Sequence, residues 1–275
     1  MTTVVSWADA APLALAGRPV RLVPLVLGFE PISEAISLRG GSRFRHLLEP
    51  VTAAAVEFER GWVLIDGGFD PARLRDPVRR AAAFTYENYL PIVPPGDPLV
   101  DQIADAGLEW DALAGALLSH AHFDHTGAAR LLRPHQPLLM QRREWDHVRT
   151  APSERDAFLF RDDFEHPDLT IALLDGDVEL AAGLRALDTA GHTPGHQSFA
   201  VGLPGRTVVL AGDAADLRKN IERRVPTGST ADPGHEELAV RAIERLADLD
   251  AQALTDVWPS HDPEWAPWRE IVEGR

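Results

Sequence analysis

Apolar positions along this chain fall into short runs of four to seven residues separated by glycine, proline and charge, a spacing that predicts strands more often than helices. Val20 to Val26 reads as the first strand, and the stretch from Gly28 to Pro50 carries no clear periodicity. Ala53–Phe58 and Trp62–Ile65 are two runs joined by Glu59-Arg60-Gly61, a hairpin pattern. Asp97-Pro98 supplies an N-cap and a first-turn proline, Leu99, Val100 and Ile103 a buried stripe, and Gly107 a stop, so a helix is expected there. Ala114–Leu118 reads as a buried strand, Ala128–Leu132 as a short helix, Pro137–Met140 as a strand and Arg142–Val148 as a helix. Strands return at Thr170–Leu174, in alternation from the Asp175-Gly176 turn to Leu187, at Ser198–Gly202, and after Pro204-Gly205 at Thr207–Ala211. Glu236–Leu249 places Leu238, Ala239, Ala242, Ile243, Leu246 and Leu249 on one face of a helix, and Leu254–Trp258 is the last strand. Strand pairs followed by helices occur twice, which predicts a single domain over residues 1–275: two similar halves, with sheets sandwiched between helices.

Chemistry gathers where these strands end. Behind Ala114–Leu118 comes Ser-His-Ala-His-Phe-Asp-His-Thr-Gly, so three of the chain's 11 histidines fall within six positions. His120 and His122 are two apart, and in extended backbone their imidazoles leave on the same face, where they can share an ion. Asp124 and His125 are adjacent and diverge, which suits a second ion. His192 follows another strand in Gly-His-Thr-Pro-Gly-His, Asp213 follows a third, and His261 a fourth. Open sheets build sites at strand ends, so these segments can meet in space. Seven nitrogen and oxygen ligands suit two divalent ions better than one. Asp66, before Gly67-Gly68, reads as a turn former, with orientation of a ligand histidine as the alternative.

Composition narrows the chemistry further. With no cysteine in 275 residues, disulfides, thiolate ligands and thiol nucleophiles are excluded. The formal net charge of -15 argues against a nucleic-acid partner, and Arg218-Lys219-Asn220 with Arg223-Arg224 reads as a solvated face. The N-terminal stretch lacks a basic region ahead of its apolar residues, and no run is long enough to span a bilayer, so a cytoplasmic protein without membrane contact is expected.

The His-x-His-x-Asp-His of 120 to 125, Gly-His-Thr-Pro-Gly-His at 191 to 196, Gly-Asp at 212 to 213 and Ser-His-Asp at 260 to 262 together resemble the metallo-β-lactamase superfamily. The resemblance implies an α/β fold, an αββα sandwich of two mixed β-sheets flanked by helices. It also implies one metal on His120, His122 and His192, another on Asp124, His125 and His261, and Asp213 bridging them. Within the superfamily the chain looks most like the N-acyl homoserine lactone lactonases, on His192 to Ser198 and on Asp213 to Asn220 followed by Val225-Pro226. Those enzymes carry a tyrosine three residues after the bridging aspartate, and here Asp216 stands in that place. Asp216 is either a carboxyl kept neutral by burial or an ordinary surface carboxylate, and the second is the plainer expectation. Tyr86 and Tyr89 are the only tyrosines and are expected to pack.

The expected activity is therefore hydrolysis of a small lactone or ester by a hydroxide generated between two divalent ions, zinc first, with manganese, cobalt and iron also suited to imidazole and carboxylate. Asp124 or Asp213 would accept the water's proton, and Asp216 or a metal-bound water would help the ring oxygen leave. Loops 84–96 and 158–164 are expected to wall a groove for an acyl chain, and His196 to orient the site from behind. His46, His135, His147, His166 and His235 are expected at the surface or in packing. Thioester hydrolysis of the glyoxalase II kind, phosphodiester cleavage and a mononuclear iron dioxygenase are the alternatives within the superfamily. The number of subunits, a homodimer included, stays open.

Overall fold

The computed structural model describes residues 2–230, 233–265 and 271–273. Eight strands form one sheet in the order β1-β7-β6-β5-β4-β3-β2-β13. They are β1 (Thr3–Ser6), β2 (Ala16–Ser33), β3 (His46–Arg60), β4 (Trp62–Ile65), β5 (Leu113–Leu117), β6 (Leu138–Gln141), β7 (Thr170–Leu174) and β13 (Val272–Glu273). The second sheet has the order β12-β11-β10-β9-β8, from β8 (Val178–Ala181), β9 (Leu184–Asp188), β10 (Gln197–Leu203), β11 (Arg206–Leu210) and β12 (Thr255–Trp258). Both mix parallel and antiparallel pairs.

Three apolar layers explain the stacking. Leu22, Val56, Val63 and Leu117 of the first sheet pack with Phe199, Val201, Val208 and Trp258 of the second, so the inner faces of the two sheets share a core. Against the other face of the first sheet lie Leu99 and Ile103 of α4 (Pro98–Asp105) and Val148 of α5 (Arg142–Thr150). The outer face of the second sheet is covered by Ile221 of α6 (Arg218–Arg223) and by Ala242, Ile243 and Leu246 of α7 (Glu236–Asp250). Helix, sheet, sheet, helix is thus the arrangement that the two-halves reading expects. The remaining helices are α1 (Glu34–Ser37), α2 (Pro71–Arg75) and α3 (Pro77–Ala83). Among the described residues no helix is long and apolar enough to cross a membrane.

Local expectations fail where the hydrophobic period breaks. The supposedly aperiodic 28–50 stretch is strand at both ends: β2 and β3 pair from Ala16↔Arg60 to Ser33↔His46, with register shifts around Pro19 and between Val26 and Gly28. Each shift moves side chains to the opposite face and scrambles the period-two pattern. The alternation after Gly176 is two strands, turned at Gly183 with φ +84°. The helix expected at 128–132 is a single 3-10 turn, Ala129–Leu131, and the last strand starts at Thr255 because Leu254 adopts φ +62°.

Candidate metal centre and its cavity

The ligand-type residues do converge. His120, His122, Asp124 and His125 follow β5, His192 follows β9, Asp213 follows β11 and His261 follows β12. One donor atom each from His120, His122, His192 and Asp213 lie within 4.8 Å of one another, and Asp124, His125, Asp213 and His261 form a second such group. Asp213 belongs to both: its Oδ2 is 3.6 Å from His120 Nε2 and 3.5 Å from His192 Nε2, while its Oδ1 is 3.3 Å from His125 Nε2 and 3.0 Å from His261 Nε2. His192 Nε2 and His122 Nδ1 come to 3.0 Å.

These side chains fit a pair of cations. His120 Nε2 is buried without a hydrogen-bond partner, an arrangement that costs stability and that a cation would satisfy. Burial first, and neighbouring imidazoles after it, hold His120 and His122 well below the usual histidine range; burial also lowers His192, against the pull of Asp213. Neutral imidazole is the form that ligates. At His125 and His261 burial also works downward, but Asp124 and Asp213 at the first, and Asp213 at the second, outweigh it and raise both well above that range. The proton that such imidazole–carboxylate pairs hold is the charge a divalent ion replaces.

Outer contacts aim the rings. Pro50 O lies 2.9 Å from His261 Nδ1, which leaves Nε2 for Asp213. Asp66 Oδ2 lies 3.1 Å from His125 Nδ1, and Asp66 Oδ1 accepts from Ser119 N at 2.8 Å, so Asp66 orients a ligand histidine and is more than the turn former its position suggests. It does so at φ +58°, a backbone state unusual for a residue with a side chain. His196 stands behind the site as expected: its Nδ1 is 2.9 Å from Thr189 Oγ1 and its Nε2 lies 2.7 Å from where a Cβ at Gly212 would be. Gly212, at φ +54°, is thereby restricted to glycine, and Asp213 follows it. Burial lowers His196 to about 3.

The sequence reading missed Glu144. On α5, it accepts from Ala121 N at 2.8 Å, Gly195 N at 2.9 Å and Thr193 Oγ1 at 2.7 Å, tying the His120–His125 loop to the loop that carries His192. A Cβ at Gly195 would stand 2.2 Å from Glu144 N, so the close approach requires glycine. The only signal was a carboxylate on the inward side of an amphipathic helix, beside Val148 in burial. Ser229 Oγ, also missed, is 3.4 Å from His192 Nδ1.

A cavity of about 480 Å³ opens over the site. Tyr86 and Tyr89 from the 84–96 loop line it with Phe123 and Phe158. Only the start of the 158–164 segment takes part: Phe160 stacks on Phe123 at 5.2 Å under Arg73, and Phe164 is buried against Trp145. Both phenols are committed, Tyr86 to Arg155 O at 2.7 Å and Tyr89 to Glu30 Oε2 at 2.6 Å. Of the five histidines set aside, exposed His46 lies at the cavity and the other four do not. Asp216 is not a surface carboxylate. It is 5% exposed, lines the cavity, and leaves Oδ1 without a partner; burial and then the charge of Asp213 push it well above the usual carboxyl range.

A fold of this kind with paired His/Asp donor groups at its strand ends defines a metal-dependent hydrolase. The family model described as the metallo-beta-lactamase superfamily matches residues 47–254, and the chain belongs to that superfamily. It is 30% identical over 216 residues to the N-acyl homoserine lactonase AiiA of Bacillus thuringiensis subsp. kurstaki, covering 78% of this chain and 82% of the relative. It is 30% identical over 235 residues to the N-acyl homoserine lactonase AttM of Agrobacterium fabrum, covering 82% and 86%. Among solved structures, an N-acyl homoserine lactone hydrolase with the product N-hexanoyl-L-homoserine at its catalytic metal center superposes with TM-score 0.78 at 26% identity, over 93% of this chain and 100% of the other.

Proposed function

We propose that this chain opens the ring of a lactone, an N-acyl homoserine lactone or a close relative, and so removes a bacterial signal of that type. Two divalent cations, for which we propose zinc, would be held by His120, His122 and His192 on one side and Asp124, His125 and His261 on the other, with Asp213 giving one oxygen to each. The observation that carries this reading is the split environment of Asp213, two imidazoles facing each of its oxygens under a cavity large enough for a small ligand.

When bound, such a pair would supply Lewis acidity, lowering the pKa of bound water toward about 7 and polarising a carbonyl. The residues supply the rest. Asp124, with Oδ2 3.1 Å from His125 Nε2 and 3.8 Å from His261 Nε2, faces the same cavity and takes the proton released as water adds to the carbonyl. Asp216, kept neutral by burial and by Asp213, gives its proton to the ring oxygen as the acyl–oxygen bond breaks. Tyr86, Tyr89, Phe123 and Phe158 enclose the acyl chain and keep water away from it.

The test is a pH-stat assay of the metal-loaded protein on N-acyl homoserine lactones, simple esters and thioesters, beside metal analysis. Acid release with lactones, at the highest kcat/KM of the three classes and with two metals per chain, is expected. Faster turnover of thioesters, or one metal per chain at full activity, would sink the reading.

A further inference from the structure

Glu30 and Glu49 are direct register partners across β2 and β3, and both are buried, 6% and 1% exposed. Like charges placed opposite one another in a sheet are destabilising, and removing both from water adds to the cost. Hydroxyls reach one oxygen of each: Tyr89 donates to Glu30 Oε2 and Ser37 to Glu49 Oε1, both at 2.6 Å. Glu30, Glu49 and His261 each bring a donor atom within 4.8 Å of the others. Asp216 lines the same cavity, close enough to feel both glutamates, and its Oδ1 has no partner despite being buried. Among the described residues no lysine or arginine lines this cavity. Three carboxyls therefore face one space with nothing positive beside them except the histidines already assigned, and His261 Nδ1 is taken by Pro50 O.

The donors left over are all oxygen, which suits a hard cation or an ammonium and not a further soft or borderline metal. We infer that Glu30 and Glu49, joined by the unprotonated oxygen of the neutral Asp216 carboxyl, form a cation subsite beside the His/Asp pair, filled either by a protonated amine on the substrate or by a free calcium-like ion. The substrate arm rests on the lactone reading above; the free-ion arm does not.

The experiment uses the metal-loaded full chain. Thermal melts and calorimetric titrations with calcium chloride and with methylammonium chloride are compared with sodium chloride at equal ionic strength. Alongside, kcat/KM is measured for a lactone carrying a primary amine on its acyl chain and for a neutral analogue of the same size. A saturable rise in Tm with calcium alone assigns a free ion. A preference of about tenfold or more for the amine, the ratio expected of one charge-assisted hydrogen bond, assigns the substrate. Either effect should vanish in Glu30→Gln/Glu49→Gln, or in Glu49→Gln alone should the double variant not fold, since glutamine keeps the Ser37 contact. The inference is overturned if neither cation is distinguished from sodium and the amine brings no preference, or if an effect survives intact in the variant. Absent turnover of the neutral lactone would count against the proposed activity and leave the titrations to decide the subsite.

Discussion

Single residues carry the sharpest expectations. Among the described residues, Asp216 Oδ1 is the one carboxyl oxygen that is itself fully buried and has no hydrogen-bond partner. A proton donor of this kind is worth about 100-fold or more, so Asp216→Asn should lower kcat on lactones by that order while metal content stays at the wild-type value; an unchanged kcat would remove Asp216 from the reaction. Glu144 acts at a distance. Replacing it by glutamine puts an amide where three donors converge, and the expected cost is about 1–3 kcal/mol of stability with a loss of about 10–100-fold in metal affinity. Urea midpoints and competitive metal titration measure the two, and a variant that matched wild type in both would make Glu144 a bystander. The sequence named Asp216 as a candidate acid, with a surface carboxylate as the plainer expectation, and it missed Glu144. Asp216 sat in a recognisable segment, but one sequence does not report whether a carboxylate three residues past a ligand is covered. Glu144 has its partners 23, 49 and 51 residues away, and nothing local marks that.

At the scale of elements, the strand ends and their ligands were readable because apolar runs closed by glycine and histidine leave a local trace. The β2–β3 ribbon was read only in part, at Val20–Val26 and Ala53–Phe58; its far end went unread where a register shift breaks the alternation, and with it went Glu30 and Glu49, which sit there. The outer helix offers a test of how elements are tied together. Arg245 on α7 donates to Asp177 at 2.9 Å and to Asp188 O at 3.0 Å, joining the helix to the β8–β9 hairpin. The hydrogen bond from Arg245 lowers the Asp177 carboxyl below its usual 3.8. A depressed carboxylate contributes stability above its unfolded pKa and loses it as the pH falls through the folded one. Asp177→Asn should therefore cost about 0.5 kcal/mol at pH 7, the scale of a solvent-screened pair, and the gap from wild type should close below pH 3.8. Parallel denaturation curves from pH 7 to pH 3 check it, and a gap that widened in acid would reverse the assignment.

Across the whole molecule, the ligands come from both layers: the His120–His125 loop hangs from the eight-stranded sheet, and His192, Asp213 and His261 from the five-stranded one. Ions held there bind the folded arrangement and not the unfolded chain, so they stabilise it by mass action. Chelation should lower Tm, abolish lactone hydrolysis and remove about 4 kcal/mol of stability where the free ion had stood about 1,000-fold above its Kd; zinc should restore all three. Full activity after complete metal removal would contradict the site.

Because Asp213 faces one imidazole group with Oδ2 and the other with Oδ1, any two cations those groups would hold are tied to one covalent ruler, the width of a carboxyl group. Sheets and loops drift by fractions of an ångström as a protein breathes; the O–C–O angle barely does. On the proposed two-cation reading, exchanging one divalent metal for another should retune the pace of the reaction while leaving its outcome the same.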